Sequence, residues 1–246
     1  MYILKELAMY NRGMTRVIAW HMIVLCLFAS IALAGDEAAQ SQPAIEKPAT
    51  ITAEQWGTDP LPIPEERRHT PRFITIHHAG VDWAAGSDPY EKTRNLQTWG
   101  KKSVEDGGKD WPDLPYHFLI SPDGRIFEGR PVAYEPETNT NYDVHGHIGI
   151  QLWGNFQAQR VSPQQVASVV KLVAWLSQAY EVDDAQIGGH RDVAADTSCP
   201  GADFYRYLED GQFLQWVDQV RAGEEPEIDL GPPLEGGPVE MIPLPK

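Results

Sequence analysis

A histidine and a cysteine stand nine positions apart in the stretch Gly188-Gly189-His190-Arg191-Asp192-Val193-Ala194-Ala195-Asp196-Thr197-Ser198-Cys199-Pro200-Gly201. Imidazole and thiolate are the ligand types that zinc prefers. Glycines ahead of the histidine and Pro-Gly behind the cysteine suit a chain that turns tightly enough to bring both to one point. Two side chains do not hold a metal firmly, so a third ligand is expected elsewhere. The best source is the His77-His78 pair, at the end of the run Phe73-Ile74-Thr75-Ile76.

The cysteine count bears on this reading through the N-terminus. Arg12 and Arg16 precede the largely apolar run Val17 to Leu33, which closes with Ala32-Leu33-Ala34 before Gly35. A positive flank, an apolar middle and an A-x-A end make a secretory signal peptide, so the protein is expected to be periplasmic or secreted. An uncleaved membrane anchor is the alternative, because the run is nearly long enough to span a bilayer. Leu25-Cys26 is a poor lipoprotein signal, and Met14 is a plausible true start. Cleavage after Ala34 removes Cys26 and leaves Cys199 as the single cysteine, in an oxidising compartment where lone thiols are uncommon. A buried inert thiol is the bland reading of such a residue. With His190 upstream and Pro-Gly behind it, a metal ligand is the better one.

Composition excludes several function classes. The chain has 20 Lys+Arg against 35 Asp+Glu, a net charge of −15. Nucleic acid demands a basic surface, and so does electrostatic attachment to anionic lipid. The length after the signal suits one domain with tails, without internal repeats. Residues 35–50 read as a linker, polar and without an apolar period. Residues 51–220 form the domain, and 221–246 a proline-rich acidic tail that is disordered or extended on the surface. Within the domain, Ile51 to Pro71 is a leading arm anchored by Trp56, which Pro60, Pro62 and Pro64 deny regular structure.

The elements that must position the ligands alternate in type. Phe73 to His77 and His147 to Trp153 read as buried strands. Phe118-Leu119-Ile120 and Arg125 to Glu128 flank Ser121-Pro122-Asp123-Gly124, a strong hairpin signal. Pro89 to Val104 is a helix candidate. Ser162-Pro163-Gln164-Gln165 starts another, with an N-cap, proline at the first position and a capping-box glutamine. Val166, Val169, Val170, Val173, Leu176 and Tyr180 follow the helical period, and Leu172, Trp175 and Ala179 add a second stripe. Ile187-Gly188 is a short strand, and Phe204 to Val220 is helical with a break at Gly211. The fold class is therefore α/β, a mixed central sheet flanked by helices, with ligands at strand ends and in one loop.

Five motifs, in order, resemble one family. They are Phe73-Ile74-Thr75-Ile76-His77-His78, then Leu114-Pro115-Tyr116-His117-Phe118-Leu119-Ile120, then His147-Ile148-Gly149-Ile150 with Gly154-Asn155-Phe156, then Gly189-His190-Arg191-Asp192, then Thr197-Ser198-Cys199-Pro200-Gly201. The chain resembles the zinc-dependent N-acetylmuramoyl-L-alanine amidases of the amidase-2 type, which include phage T7-type lysozyme and the peptidoglycan recognition proteins. Trp56-Gly57 looks like that family's leading motif, so the resemblance spans roughly Ile51 to Val220.

The resemblance implies Zn2+ held by His77, His190 and Cys199, with a fourth position left for water. Adjacent strand residues face opposite ways, which leaves His78 packed or hydrogen-bonded. It implies Tyr116 as an active-site phenol that holds the attacking water or donates to the oxyanion, and Thr197 as a second polar group. The glutamate base of the cytoplasmic branch is matched by Gln151, which cannot accept a proton in that role. Two departures stand out. The His190–Cys199 spacing is one residue longer than the family's commonest, so the loop must bulge. The segment Tyr134 to Asp143, with Asn139-Thr140-Asn141, lacks the histidine many relatives carry, and His145 either replaces it as a substrate contact or is an ordinary loop residue. Trp83, Trp99, Trp111 and Trp153 could line a glycan groove, but tryptophans are more often core, and none is assigned.

The implied activity is hydrolysis of the amide between N-acetylmuramic acid and L-alanine, with peptidoglycan or muropeptide as partner. The alternative is a peptidoglycan-binding recognition module without catalysis, and Cys199 argues against it. The exported chain is expected to begin at or near Gly35. Intact-mass measurement checks this, and a full-length chain retained in the membrane would point to the anchor instead.

Overall fold

Residues 44–245 are described in a computed structural model, and six strands among them form one mixed sheet. The strands are β1 (Thr50–Ile51), β2 (Phe73–His78), β3 (Phe118–Ile120), β4 (Ile126–Glu128), β5 (His147–Leu152) and β6 (Ile187–Gly189). Their order across the sheet is β1-β4-β3-β5-β2-β6. Only the β3–β4 hairpin is antiparallel; every other neighbouring pair is parallel. The helices are α1 (Ala53–Trp56), α2 (Pro89–Lys101), α3 (Pro163–Ala179), α4 (His190–Val193), α5 (Ala202–Glu209) and α6 (Gln212–Arg221). The signal-peptide reading of residues 1–34 and the first part of the linker lie outside the described residues. Among the described residues, no helix is long and apolar enough to cross a membrane.

Strand alternation divides the sheet's two faces. On β2, Ile74 and Ile76 join the α3 residues Val166, Val169, Val170, Val173 and Leu176 in one core. Thr75 and His77 take the other face. Parallel strands buried on both sides read as near-continuous apolar runs, which is why β2 and β5 stand out in the sequence. The second stripe on α3 is only partly used: Leu172 is buried, Trp175 half-buried and Ala179 exposed. The stretch Phe204 to Val220 divides into α5 and α6 at Gly211, which adopts a left-handed conformation.

Several elements differ from the sequence reading. Helix α2 stops at Lys101 instead of running to Val104. There Asp106 N donates to Ser103 Oγ and Val104 N to Asp110 Oδ2, so local side-chain bonds outcompete the helix. Ser162 caps α3 by accepting from Gln165 N at 3.0 Å. The Gln165 amide does not return to the cap; it donates to the Ile120 and Trp153 carbonyls, fastening the helix to the ends of β3 and β5. The leading arm holds β1 and a helical turn as well as its anchor, Trp56, which is buried and donates Nε1–H to Glu128 O at 2.7 Å.

The linker expected through residue 50 ends earlier. Ile45 packs on the core, Lys47 pairs with Glu128 at 2.6 Å, and Thr50 lies in β1. A polar average hides these isolated anchors. The C-terminal tail lies extended, pinned by buried Leu230 and Ile242 and by reciprocal backbone bonds of Arg160 with Glu240 and Ile242.

Two buried histidines fasten the loops at the start of β5. His69 Nδ1 accepts from Gly146 N and its Nε2–H donates to Val132 O, both at 2.9 Å. His117 Nδ1 accepts from Gly149 N at 2.9 Å and its Nε2–H donates to Tyr134 O at 2.8 Å. Both rings must therefore be neutral. Burial lowers His69 and pushes His117 down to about 3. The neutral form is favoured on folding, so the stabilisation is complete above the ordinary value of 6.5 and is lost as pH falls toward about 3. Well below 6.5, a histidine of this kind costs about 1.4 kcal/mol of stability per pH unit. Thermal melts between pH 7.5 and 4.5 should show a falling Tm. The slope should be shallower in His117→Gln by about one proton's worth, and an unchanged slope would remove His117 from the account.

Candidate metal centre and adjoining cavity

Strand register assembles the cluster. β2 and β6 run parallel with Ile76 opposite Gly189, so the next residues, His77 and His190, emerge side by side at the carboxyl ends of their strands. Their ring centroids are 4.5 Å apart. Cys199 returns through the loop, whose ends are tied by Arg191 N donating to Cys199 O at 2.9 Å. Thr197 Oγ1 accepts from Cys199 N at 3.1 Å, and the Arg191 guanidinium donates to Ser198 O. After the cis Cys199–Pro200 peptide, Gly201 sits at φ +89°, where a Cβ would come within 2.7 Å of the Phe156 backbone. The loop can approach this closely only with glycine there.

His77, His190 and Cys199 are all buried, and their candidate ligand atoms lie within 4.8 Å of one another. Cys199 Sγ is 3.8 Å from His77 Nδ1. Burial pushes His77 well below the ordinary imidazole value, with nearby His190 adding to it, and burial lowers His190 as well. Both rings are thus neutral and free to offer a lone pair. Burial pushes the Cys199 thiol up to about 12, against the pull of the His78 N–H that donates to its sulfur at 3.3 Å. Two neutral imidazoles beside a buried thiol suit a divalent cation of zinc's softness. The donor set fits that ion and leaves a coordination position open.

His78 faces away from the cluster. Its Nδ1 accepts from Phe156 N at 3.1 Å and its ring packs against Phe156. Tyr116 is half-buried in the site, its ring centroid 5.0 Å from that of His77. Burial, with Cys199 next, raises its phenol and keeps it protonated. Thr197 is placed in the turn that presents Cys199, with its oxygen used on the cysteine backbone.

His145 is not brought to the cluster. It precedes the amino end of β5, whereas the ligands stand at the carboxyl ends of β2 and β6. Its Nδ1 pairs with Glu135 Oε1 at 2.7 Å on the exposed surface, an acid that holds it at the far end of the sheet. The structure sets His145 apart from the cluster, among the polar residues of its loop.

Residues the sequence reading passed over fill the place instead. Thr140 Oγ1 lies 2.6 Å from His190 Nε2 and 2.9 Å from Thr138 Oγ1. In the tautomer that leaves Nδ1 bare, Nε2–H donates to Thr140, whose own hydroxyl passes on to Thr138. The Tyr142 ring centroid is 5.2 Å from that of His190, and its buried hydroxyl has no partner among the described residues. The segment lacks the histidine that many relatives carry. Its hydroxyl-bearing residues were the available signal.

Beside the cluster opens a cavity of about 300 Å³. Leu96, Trp99, Trp111 and Pro115 form apolar walls, and Tyr116, Gln151 and Trp153 face in from the site. Trp83 packs against Trp153 with centroids 6.1 Å apart but does not line the cavity. No charged side chain lines it among the described residues.

Comparison with known proteins places this geometry. Residues 67–202 match the family described as N-acetylmuramoyl-L-alanine amidase. Peptidoglycan-recognition protein SD of Drosophila simulans is 28% identical over 174 residues, covering 69% of this chain and 88% of that protein. The crystal structure of Drosophila peptidoglycan recognition protein SD shares the fold at a TM-score of 0.56 and 24% identity, covering 67% of this chain and 94% of that one. The N-acetylmuramoyl-L-alanine amidase LysC from Clostridium intestinale URNW superposes with a TM-score of 0.53 at 25% identity, over 69% of this chain and 99% of that one.

The Thr140 contact carries an expectation separate from catalysis. A partner that orients a metal-ligating histidine typically contributes 10–100-fold in metal affinity. Thr140→Val should weaken zinc retention by about that factor in chelator competition. Cys199→Ser should lose most of the metal. Equal retention by Thr140→Val and the parent would show that the hydroxyl does not orient His190.

Proposed function

The chain belongs to the N-acetylmuramoyl-L-alanine amidase family, and from that premise we propose that it is a zinc-dependent amidase. It cleaves the amide between the lactyl group of N-acetylmuramic acid and the L-alanine of peptidoglycan stem peptides. The observation that carries this reading is the buried triad of His77, His190 and Cys199 beside an uncharged cavity. A zinc ion held there supplies Lewis-acid polarisation of the scissile carbonyl and acidifies water.

The chain's own groups divide the remaining work. His77 and His190 offer neutral rings, and the His78 N–H stabilises negative charge on the Cys199 sulfur. Thr197 fixes the cysteine's backbone. Attack on an amide carbonyl builds negative charge on its oxygen, and a donor aimed at that oxygen lowers the barrier. Tyr116, held protonated against His77, is the donor in place. Gln151 cannot take a proton, and no carboxylate lines the cavity among the described residues.

The second reading, recognition without hydrolysis, draws on the relatives named peptidoglycan recognition proteins. The intact ligand set favours hydrolysis. Carriage of peptidoglycan fragments as ligands is consistent with both, as is export to the periplasm or beyond.

Tyr116→Phe separates chemistry from binding, since the ring and its packing stay while the hydroxyl goes. Zinc content and Tm should be nearly unchanged. The turnover rate on a defined muropeptide should fall by about 10²–10³, the usual cost of one oxyanion donor, with a much smaller change in KM. A fully metallated variant with its parent's turnover rate would end the catalytic assignment.

A further inference from the structure

Gln151 sits on β5 between His77 on β2 and Leu119 on β3, in the middle of the sheet. It is 3% exposed and lines the cavity beside the metal ligands. Its side-chain Nε2 is buried without a partner among the described residues. Two positions on, and on the same face of the chain, Trp153 also lines the cavity, and its Nε1–H is likewise buried and unpartnered. Buried polar groups are nearly always hydrogen-bonded, and leaving one unmade is costly. Two unmatched donors on residues that line one cavity are matched most simply by a ligand that brings acceptors.

The chemistry of the walls narrows that ligand. Trp99, Trp111 and Leu96 offer apolar faces, and charged side chains are absent from the lining among the described residues. A carboxylate or an ammonium would enter this space without a counter-charge, at a high desolvation cost. The stem peptide carries such groups and the amidated sugar side does not. A pocket of this kind, mostly aromatic with a few converging donors, fixes the orientation of a neutral group.

We propose that Gln151 is a specificity-determining residue that donates its side-chain amide to a neutral carbonyl oxygen on the N-acetylmuramoyl half of the substrate, with Trp153 Nε1–H as a second donor to the same half. This deepens the amidase reading and rests on it for the identity of the substrate. The stem peptide then leaves on the other side of the metal ligands. Where relatives of the cytoplasmic branch carry a glutamate base, this chain binds instead of abstracting a proton.

The test uses Gln151→Met and Gln151→Leu in the zinc-loaded full protein. Methionine keeps the volume and removes the orphaned donor; leucine removes it in a smaller apolar side chain. For Gln151→Met the proposal expects unchanged zinc content and an unchanged or raised Tm, because a buried unsatisfied group has been deleted. It expects about a tenfold rise in KM, the scale of one lost hydrogen bond to ligand, on an N-acetylmuramoyl-peptide substrate. On a lactoyl-peptide substrate that lacks the sugar, the variant and the parent should have equal KM. Gln151→Leu should show the same loss of affinity, so the idea stays testable if methionine disturbs folding.

A lowered Tm with an unchanged KM would make Gln151 a structural residue and overturn the proposal. An equal rise in KM on both substrates would place the contact on the peptide half and overturn it too. If the zinc-loaded parent binds the muropeptide without cleaving it, the hydrolysis reading fails. The tenfold is then read in Kd by calorimetry, so the two failures are distinguishable.

Discussion

The site depends on the pairing of β2 with β6. Ile76 faces Gly189 in a parallel ladder, and that register sets His77 beside His190 at the same level of the sheet. Side chains on a strand alternate, so a slip of one residue would exchange His77 for His78 and turn the ligand into the core. The third ligand needs no strand. The bond from Arg191 N to Cys199 O closes the loop onto its own start and delivers the thiol to the point that the two strands define. Burial favours the neutral thiol, and the raised Cys199 value expresses the cost of forming a thiolate there. A cation relieves it, and metal binding is thereby linked to the folding of the loop.

How much of this the sequence discloses follows from which forces act locally. The strands, the hairpin, the start of α3 and the break at Gly211 are visible because apolar period, turn residues and N-caps are near-neighbour signals. His77, His190 and Cys199 are legible because their residue types are chemically rare in such spacing, and the ordered motifs of the family reinforce them. What escapes depends on contacts across the chain. The hydroxyl of Thr140 reaches His190 over 50 positions, and Ile45 finds Gln178 and the core over more than a hundred. The side chain of Gln165 has a local role available in the cap, but takes two carbonyls from the sheet instead. His145 is the converse case, a suitable residue type that lies against Glu135 before the amino end of β5, away from the cluster.

The two ends of the sheet treat buried polar groups in opposite ways. At the amino end of β5, His69 and His117 use both ring nitrogens on backbone partners, and the loops around Val132, Tyr134 and Gly146 are fixed by them. At the carboxyl end, Tyr142, Gln151 and Trp153 present buried polar atoms that nothing in the described chain meets. Each unmet group of this kind costs about 1–3 kcal/mol, a large fraction of the stability of an ordinary domain. A sequence selected for stability alone would have replaced them with apolar residues of similar shape. Where such groups stand beside the cluster, the cost falls where binding can return it. The rigid amino end is what allows it. His117 holds Gly149 and is joined in sequence to Tyr116, so the neutral rings that stiffen the loops also fix the phenol and the strand on which Gln151 stands. Stability at one end of the sheet therefore supports deliberate instability at the other.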